Sequence, residues 1–284
     1  SYLDCKGFHP NYTSMQQLQA FAMVGGTPAY HHLIGDTDPE EVIRTQMFDH
    51  MSVFSLEVEG MISSEVLAFD GCTKVLAAMA RGAESTREIS ARTQLASSYC
   101  SKLVDDMEHK GILQKEVSSG ISRRSVYSMN SNILRFYYQV VYRYTHMVEF
   151  ESSSGAYEAA RGDIIAYMER GFKAVCMEYV TQKYDYRFIG KLRRKDDTVD
   201  TVIDFVASVM IDGRARTIVA RCRLYGDPFG KHDMDELVER ARKVEGSNKM
   251  YVLFSGVGFT PELKKAVGNG GDASLLTLDD IYEV

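Results

Sequence analysis

The sequence predicts a multidomain protein with an all-α helical region, then a helix-turn-helix with a two-stranded ribbon, then an α/β domain. Three observations predict this class. Apolar residues recur at helical spacing early in the chain, two short strand patterns flank a turn-rich segment near its middle, and strand and helix patterns alternate toward its end. The predicted parts are residues 1–66, 67–132, 133–160 as a helical linker, and 161–284.

Composition limits the class of protein. A length of 284 residues suffices for two or three domains, each able to bury its own core. The net charge of -6 excludes a uniformly basic nucleic-acid coat, although basic residues cluster locally. The two clusters are Lys191, Arg193, Arg194 and Lys195, and Arg214, Arg216, Arg221 and Arg223.

The start of the chain and its cysteines indicate where the protein is located and whether its thiols are reduced. No apolar stretch reaches membrane-spanning length and Ser1 to Pro10 lacks a signal pattern, so we expect a cytoplasmic protein without a membrane partner. The five cysteines include no CxxC pair, which argues against a zinc site and favours reduced thiols. Because the chain starts with Ser, we expect it to be a piece of a longer protein.

The first helical region has a glycine-proline break. Met15 to Val24 have helical periodicity, and Gly25-Gly26-Thr27-Pro28 must end that helix, because Pro28 biases Thr27 away from helical geometry. No Gly-Lys-Ser/Thr follows, so the glycine pair is a turn and not a phosphate loop. His31 and His32 point in different directions on a helix and predict no metal site.

A winged helix is predicted between residues 67 and 132. Ser85 and Glu88 have the spacing of a capping box, and the helix from Ser97 to Lys110 is expected to end at Gly111. This helix should bury Tyr99, Leu103, Val104 and Met107. Two strand patterns, 112–117 and 125–129, then flank a turn that carries two arginines.

The winged helix suggests contact with DNA. Ser98, Ser101 and Lys102 would face the duplex from the recognition helix. Arg123 and Arg124 of the wing would contact phosphate or the minor groove. Three acids on the same helix would be opposed by phosphates unless they face away, so a protein-binding winged helix stays open. They are Asp105, Asp106 and Glu108.

Beyond residue 132 an aromatic helix is followed by the α/β domain. The aromatic run 134–144 is expected to pack between neighbouring domains. The segment Ser152–Gly155 is expected to form a loop or hinge. The α/β elements are expected as a helix at 164–181, strands at 200–210 and 216–224, a helix at 233–244, a strand at 250–255, a helix at 261–267 and a strand at 273–278.

Two adjacent strands of this domain carry a degenerate metal-site pattern. One contains Asp204, and the next ends in Arg221-Cys222-Arg223. An inward Asp followed by a charged-x-charged strand end is how restriction-endonuclease-like folds assemble a metal site. Divalent cations need anionic oxygen ligands, so arginine at the second position repels the ion. We therefore expect a nuclease-like scaffold with no metal and no catalytic residues.

Three segments resemble one family, the archaeal-type ATPases of the AAA+ and STAND-like class. The segment 19–30 is similar to a "GG-x-P-x-Y" lid segment, 132–138 to "flRFwy", and 253–260 to "lFSk-x-GFt". The resemblance covers nearly the whole chain. It implies a lid remnant at 1–66, a winged helix at 67–132 and a restriction-endonuclease-like domain at 161–284.

The departures from the family pattern bear on activity. Competent members have Glu-Cys-Lys where this chain has Arg221-Cys222-Arg223. Lys173 stands where the family has a glutamate early in the first helix of this domain. Lys191-Leu192 stand where the family has an aromatic pair. The ATP-binding core that the resemblance places upstream is absent from this sequence. We therefore expect no cofactor in this chain, with ATP and Mg²⁺ only if an upstream core exists.

The leading hypothesis is a non-catalytic C-terminal part of an ATPase-like regulator that binds DNA through its winged helix. The degenerate nuclease-like domain would be a second binding surface, in which Arg221 and Arg223 hold a phosphate by charge.

Two alternatives remain. One is a metal-dependent nuclease in which a migrated carboxylate joins Asp204 and a basic residue stabilises the phosphate. The candidate carboxylates are Glu178, Asp197 and Asp200, and the candidate basic residues are Arg223 and Lys191. The other is a purely protein-binding module, and an oligomer with Arg123 and Arg124 buried at its interface would distinguish it from a DNA-binding protein. The sequence leaves the oligomeric state open.

Overall fold

Contacts divide the chain of the computed structural model into two units. The sheet unit consists of Ser1–Leu18 with Met168–Val284, and the helical unit of Gln19–Tyr167. This division differs from the predicted domain boundaries, because the first 18 residues group with the end of the chain. The structure describes residues 1–63, 69–117, 125–150, 152–190, 202–246, 248–268 and 271–283.

The described residues form a mixed α/β protein. The helices are α1 (Tyr2–Cys5), α2 (Ser14–Val24), α3 (Pro28–Ile34), α4 (Pro39–Val42), α5 (Val53–Ser63), α6 (Phe69–Ala80), α7 (Thr86–Thr93), α8 (Ser97–His109), α9 (Asn132–Phe136), α10 (Thr145–Phe150), α11 (Ser153–Lys183), α12 (Lys231–Ala241), α13 (Pro261–Val267) and α14 (Leu278–Tyr282). The strands are β1 (Leu113–Val117), β2 (Ser125–Met129), β3 (Asp185–Gly190), β4 (Phe205–Ile211), β5 (Arg214–Arg223), β6 (Lys249–Ser255) and β7 (Ala273–Thr277). Among the described helices, none has the length and apolar character needed to cross a bilayer.

The glycine-proline break of the helical unit is fixed by contacts with the start of α9. Gly25 has φ 69°, a left-handed conformation suited to glycine. Its carbonyl oxygen lies 2.8 Å from Nε2 of the buried His31. Asn132 donates a 2.9 Å hydrogen bond to the carbonyl oxygen of Phe21, and a Cβ on Gly25 would lie 3.3 Å from the Asn132 side chain. Two of the three family-like segments therefore meet in space.

Three helices and a ribbon follow in the order that the sequence predicts. The capping box of α7 is present, since the Ser85 hydroxyl accepts from Glu88 N and the Glu88 carboxylate accepts from Ser85 N. Gln94, in a left-handed conformation, ends α7 three residues before α8 begins. Strands β1 and β2 pair antiparallel, whereas Arg123 and Arg124 lie outside the described residues.

Helix α8 buries three of its four predicted core residues, Leu103, Val104 and Met107, but not Tyr99. Tyr99 is 41% exposed, and Cys100 is fully buried in its place. Cys100 shares a face with Leu103, Val104 and Met107, because residues three and four apart align on a helix. Tyr99 lies one position off that face. Its prediction as a core residue was wrong.

The sheet unit contains a five-stranded mixed sheet in the order β3-β4-β5-β6-β7. The first three strands pair antiparallel, and β5, β6 and β7 pair parallel. One face packs against α12 and α13 through a core that includes Val219, Leu237 and Leu253. On the other face the ring of Tyr179 in α11 lies 6.1 Å from that of Phe254 in β6.

The first residues complete the sheet unit. The Tyr2 hydroxyl donates a 2.9 Å hydrogen bond to the Ile281 carbonyl oxygen, and the Tyr2 and Tyr282 rings meet edge to face. Lys6 donates to the Tyr282 carbonyl oxygen at 2.8 Å. Helix α1 is therefore part of the same core as α14.

Two features of the chain differ from the predictions. Ser153 already belongs to α11 where a loop was expected, because the Ser152 hydroxyl accepts a 3.0 Å hydrogen bond from Gly155 N and caps the helix. Strand β3 was not predicted. It lies at the sheet edge and most of its residues are exposed.

The turn after β6 packs closely against the end of β5. A Cβ on Gly256 would lie 2.5 Å from the Leu224 carbonyl oxygen. The Ser255 hydroxyl accepts hydrogen bonds from Val257 N and Gly258 N, and Gly258 has φ 88°. The third family-like segment therefore contains a tight turn in which a side chain at position 256 would clash with backbone.

We expect Gly256→Ala to lower the free energy of unfolding of the sheet unit by about 1–3 kcal/mol, because the added methyl group must displace backbone. Urea unfolding followed by circular dichroism measures this change. Gly271→Ala is the matched control, since nothing lies within 4 Å of the added Cβ. Equal stability of the two variants would contradict the close packing described for Gly256.

Candidate functional site

Asp204 lies immediately before β4 and is held from three directions. Its backbone N donates a 2.9 Å hydrogen bond to the Ala220 carbonyl oxygen, which extends the β4–β5 pairing by one residue. Its carboxylate accepts a 2.7 Å hydrogen bond from Cys222 N and lies 2.6 Å from Nζ of Lys173. The Asp204 side chain is only 15% exposed. The predicted site residue is therefore compensated by a lysine of the same chain.

Lys173 comes from α11, where the family-like pattern has a glutamate. Burial alone would lower the pKa of the Lys173 ammonium group, but the hydrogen bond and the attraction to Asp204 raise that pKa above its ordinary value. The ammonium group occupies the space beside Asp204 into which a divalent cation would have to come. The Lys173 ammonium group thus takes the place that a divalent metal ion would take beside Asp204.

Arg221 and Arg223 make ion pairs with α12. Arg221 lies 3.0 Å from Glu236 and 3.4 Å from Asp233, and Arg223 lies 2.6 Å from Asp233. The Arg223 guanidinium group also stacks on the ring of Phe229, 4.0 Å from its centroid. The charge of both arginines is therefore satisfied within the sheet unit.

Asp233 has two roles in this network. It accepts a hydrogen bond from Gly230 N at 2.9 Å, which caps the start of α12, and it binds both arginines. Although burial opposes the change, the Arg223 hydrogen bond, the Gly230 hydrogen bond and both arginine charges lower the pKa of the Asp233 carboxyl group. Asp233 stays ionised over a wide pH range as a result.

The arrangement separates the charges that the sequence placed together. Asp204 pairs with Lys173, and Arg221 and Arg223 pair with acids of α12. Within the described residues, Arg221 makes no ion pair with Asp204. Both arginines were expected to be free to bind a phosphate, but their surroundings do not support this, because acids of α12 already pair with them.

Cys222 points to the opposite face of β5 from its two arginine neighbours. Cys222 and Cys176 of α11 are both buried and form no disulfide bond. Burial raises the pKa of both thiols. These cysteines act as small core residues at the end of β5.

The carboxylates proposed to have migrated are not assembled around Asp204 in the part of the chain that the structure describes. Glu178 accepts hydrogen bonds from Tyr2 N and from Gln182. Asp197, Asp200 and Lys191 lie outside the described residues. The described residues contain no group of three or more His, Cys, Asp and Glu side chains suited to hold a metal ion.

Glu169 is a residue of this region that the sequence analysis missed. It lies one helical turn before Lys173, and its carboxylate accepts hydrogen bonds from Leu224 N and Tyr225 N at 3.0–3.2 Å. These contacts tie α11 to the chain that leaves β5. The spacing of Glu169 and Lys173 at i and i+4 was the available signal, because such residues share a helix face.

The predicted DNA-contacting residues of α8 lie on one face. Ser98 and Lys102 are exposed and Ser101 is half-buried. The acids of the helix are concentrated in its second half, where Glu108 forms a 3.8 Å ion pair with Lys115 of β1. Asp105, three positions after Lys102, is exposed on this same face, so this acid does not face away from the predicted DNA contacts. The first half of α8 nevertheless presents polar and basic groups without an acid.

Comparisons with known proteins leave the family open. No family model matches the chain and no curated protein matches it. Two similar solved structures are the restriction endonuclease MspJI in complex with a 27-mer oligonucleotide, at 13% identity and TM-score 0.32, and a protein from Vibrio cholerae, at 11% identity and TM-score 0.30. The matches cover 45% and 96% of this chain but only 31% and 55% of the respective structures. At these TM-scores neither likeness assigns a fold or a function.

We expect Lys173→Met to lower the free energy of unfolding by about 1–3 kcal/mol, because it leaves the Asp204 charge largely buried without a cation. Adding Asp204→Asn should recover part of the loss, since an amide oxygen can still accept from Cys222 N without carrying charge. Urea unfolding of both variants measures this. No recovery in the double variant would contradict the charge compensation.

The lowered pKa of Asp233 predicts how stability depends on pH. Its ionised form adds stability above the unfolded pKa of about 3.9, and this stability is lost as pH falls through the lower folded pKa. Asp233→Asn should therefore flatten the loss of unfolding free energy between about pH 5 and pH 2. Asp212→Asn, in an exposed turn, controls for the removal of one carboxylate. A slope that stays as steep as in the wild type would contradict the arginine–Asp233 network.

Proposed function

We propose that this chain is a DNA-binding, non-catalytic part of an ATPase-like regulator, and that helix α8 is its recognition helix. The row of Ser98, Ser101 and Lys102 on one face of α8 carries the proposal. Hydroxyl and ammonium groups on one helix face are donors that suit base edges and phosphates. The acid-free first half of α8 supports this role, because phosphates would oppose acids there.

The surrounding elements also support a winged helix. Helix α8 follows α7 after a three-residue connection, and the antiparallel ribbon of β1 and β2 follows α8. In such a domain the tip of the ribbon contacts the DNA backbone beside the recognition helix. The sequence between β1 and β2 contains Arg123 and Arg124, which would supply the positive charge.

The non-catalytic part of the proposal is supported by the sheet unit. A mixed sheet with helices on both faces and Asp204 at a strand end is compatible with a restriction-endonuclease-like scaffold. Lys173 beside Asp204 and arginine at position 221 remove the conditions for binding Mg²⁺ or Mn²⁺. The relation to ATPases rests on the sequence resemblance of the segments that contain Gly25 and Asn132.

A protein partner is a second candidate, favoured by one observation. Met51, two residues before α5, and Val53 and Leu56 in its first turn are 69%, 51% and 50% exposed. Adjacent exposed apolar side chains of this size are typical of interaction surfaces. Absence of DNA binding in the experiment below would turn the proposal toward this surface.

Fluorescence anisotropy of duplex DNA at two salt concentrations tests DNA binding. We expect salt-sensitive binding, weakened several-fold by Lys102→Ala and more strongly by Arg123→Ala/Arg124→Ala. The slope of log K against log salt should fall by about 1 for each cation removed from a phosphate. Arg214→Ala removes an exposed arginine of the sheet unit as the control.

Two outcomes would overturn the proposal. No binding of wild-type protein at low salt, or an equal weakening by Arg214→Ala, would exclude α8 and the ribbon as a specific DNA surface. Manganese-dependent cleavage of the duplex that disappears in Asp204→Ala would instead support the nuclease alternative.

A further inference from the structure

A basic cleft lies within the helical unit, apart from α8 and the ribbon. It has a volume of about 830 Å³, which is within the range of small-molecule sites. Its walls come from α6, the end of α7 and the helical turns that follow α9. The described residues that line it include four cations and two tyrosines, and none of them is an acid: Lys74, Arg81, Arg92, Arg143, Tyr138 and Tyr142.

Two of the four cations are available for a ligand. Lys74 lies in the middle of α6, Arg81 directly follows its last residue, and both side chains are exposed. Within the described part of the chain, neither side chain has an ion-pair or hydrogen-bond partner. Side chains of this kind are free to bind an anionic group.

The other two cations have structural partners. Arg92 donates to the carbonyl oxygens of Ala78 and Arg81, which joins the end of α7 to the end of α6. These acceptors are neutral, and the Arg92 guanidinium also attracts the Glu88 carboxylate one turn earlier on α7. Arg143 lies 2.7 Å from Asp163, which neutralises it. The net positive charge of the described cleft lining therefore comes mainly from Lys74 and Arg81.

Tyrosines form an aromatic wall of the same cleft. The Tyr138 and Tyr142 rings have their centroids 5.0 Å apart with 36° between their planes. Tyr138 is buried and its hydroxyl lies 3.5 Å from that of Thr73, so it supports the wall from behind. Tyr142 is only half-buried and its ring borders the cleft. A flat aromatic surface next to free cations suits a base attached to phosphate.

A neighbouring cavity indicates how a ligand would be oriented in the basic cleft. A smaller cavity of about 370 Å³ shares Lys74, Tyr138 and Tyr142 with the basic cleft, but its other charged residues are acids. They are Glu59, Asp70 and Glu149. These acids repel phosphate, so the anionic end of a ligand belongs on the Arg81 side, with the uncharged ring over Tyr142.

We propose that the basic cleft binds a nucleoside phosphate, whose phosphates contact Arg81 and Lys74 and whose base stacks on Tyr142. None of these residues belongs to α8, β1 or β2. The site is therefore independent of the proposed DNA contact, and each can fail without the other.

Isothermal titration calorimetry with the intact chain tests the proposal, with ADP, GDP, CDP, UDP and inorganic pyrophosphate as probes. At least one nucleoside diphosphate should bind more tightly than pyrophosphate. Lys74→Ala and Arg81→Ala should each weaken that binding by roughly tenfold or more, because each removes a charge-assisted hydrogen bond. Tyr142→Leu should reduce the preference over pyrophosphate.

Arg87→Ala is the matched control, because Arg87 is an exposed arginine of α7 that does not line the cleft. It should bind like the wild type. Failure of all four nucleoside diphosphates to bind, or equal binding by the Lys74 and Arg81 variants, would overturn the proposal. Pyrophosphate binding as tightly as every nucleotide would overturn the role of Tyr142. An oligonucleotide that needs Lys74 and Arg81 where no nucleotide binds would replace the proposal with a nucleic-acid site.

Discussion

The sheet unit depends on the compensation of one poorly exposed carboxylate. Asp204 lies where a strand, a strand end and a helix meet, and a charge in such a place must be paired and hydrogen-bonded. Lys173 supplies the charge and Cys222 N supplies a hydrogen bond, so the same pair of contacts positions α11 against β5. Glu169, one turn earlier, adds a second attachment between the helix and the chain leaving β5. An electrostatic requirement thereby fixes where the long helix packs on its sheet.

Regular elements with a buried face were predictable from sequence. The prediction for α13 agrees with the structure at both ends, and the predicted β6 begins one residue late, because proline at a helix start and continuous apolar runs are strong signals. Strand β3 was missed because an edge strand with exposed residues needs no apolar pattern. Tyr99 was assigned to the core because periodicity alone does not distinguish it from its neighbour Cys100.

The candidate site was predictable in its residues but not in its pairings. Asp204, Arg221 and Arg223 were identified from their strand positions. Their partners lie 10 to 31 positions away along the chain, on α11 and α12, and only tertiary structure brings them together. The arginines were therefore expected to be free, whereas Asp233 and Glu236 hold them. The acidic face of α12 was visible in the sequence, but nothing in its pattern named the strand that it would meet.

The stacking of Arg223 on Phe229 constrains which substitutions this strand end can accept. A planar guanidinium group can lie flat on a ring while it pairs with Asp233, and lysine cannot reproduce both contacts. Replacing Arg221 by glutamate would put an acid beside Asp233 and Glu236, and Lys173 would still occupy the space next to Asp204. We therefore expect the change at Arg221, made alone, to lower stability without creating a metal site. Such a site is separated from the present sequence by intermediates that selection for a folded protein would disfavour.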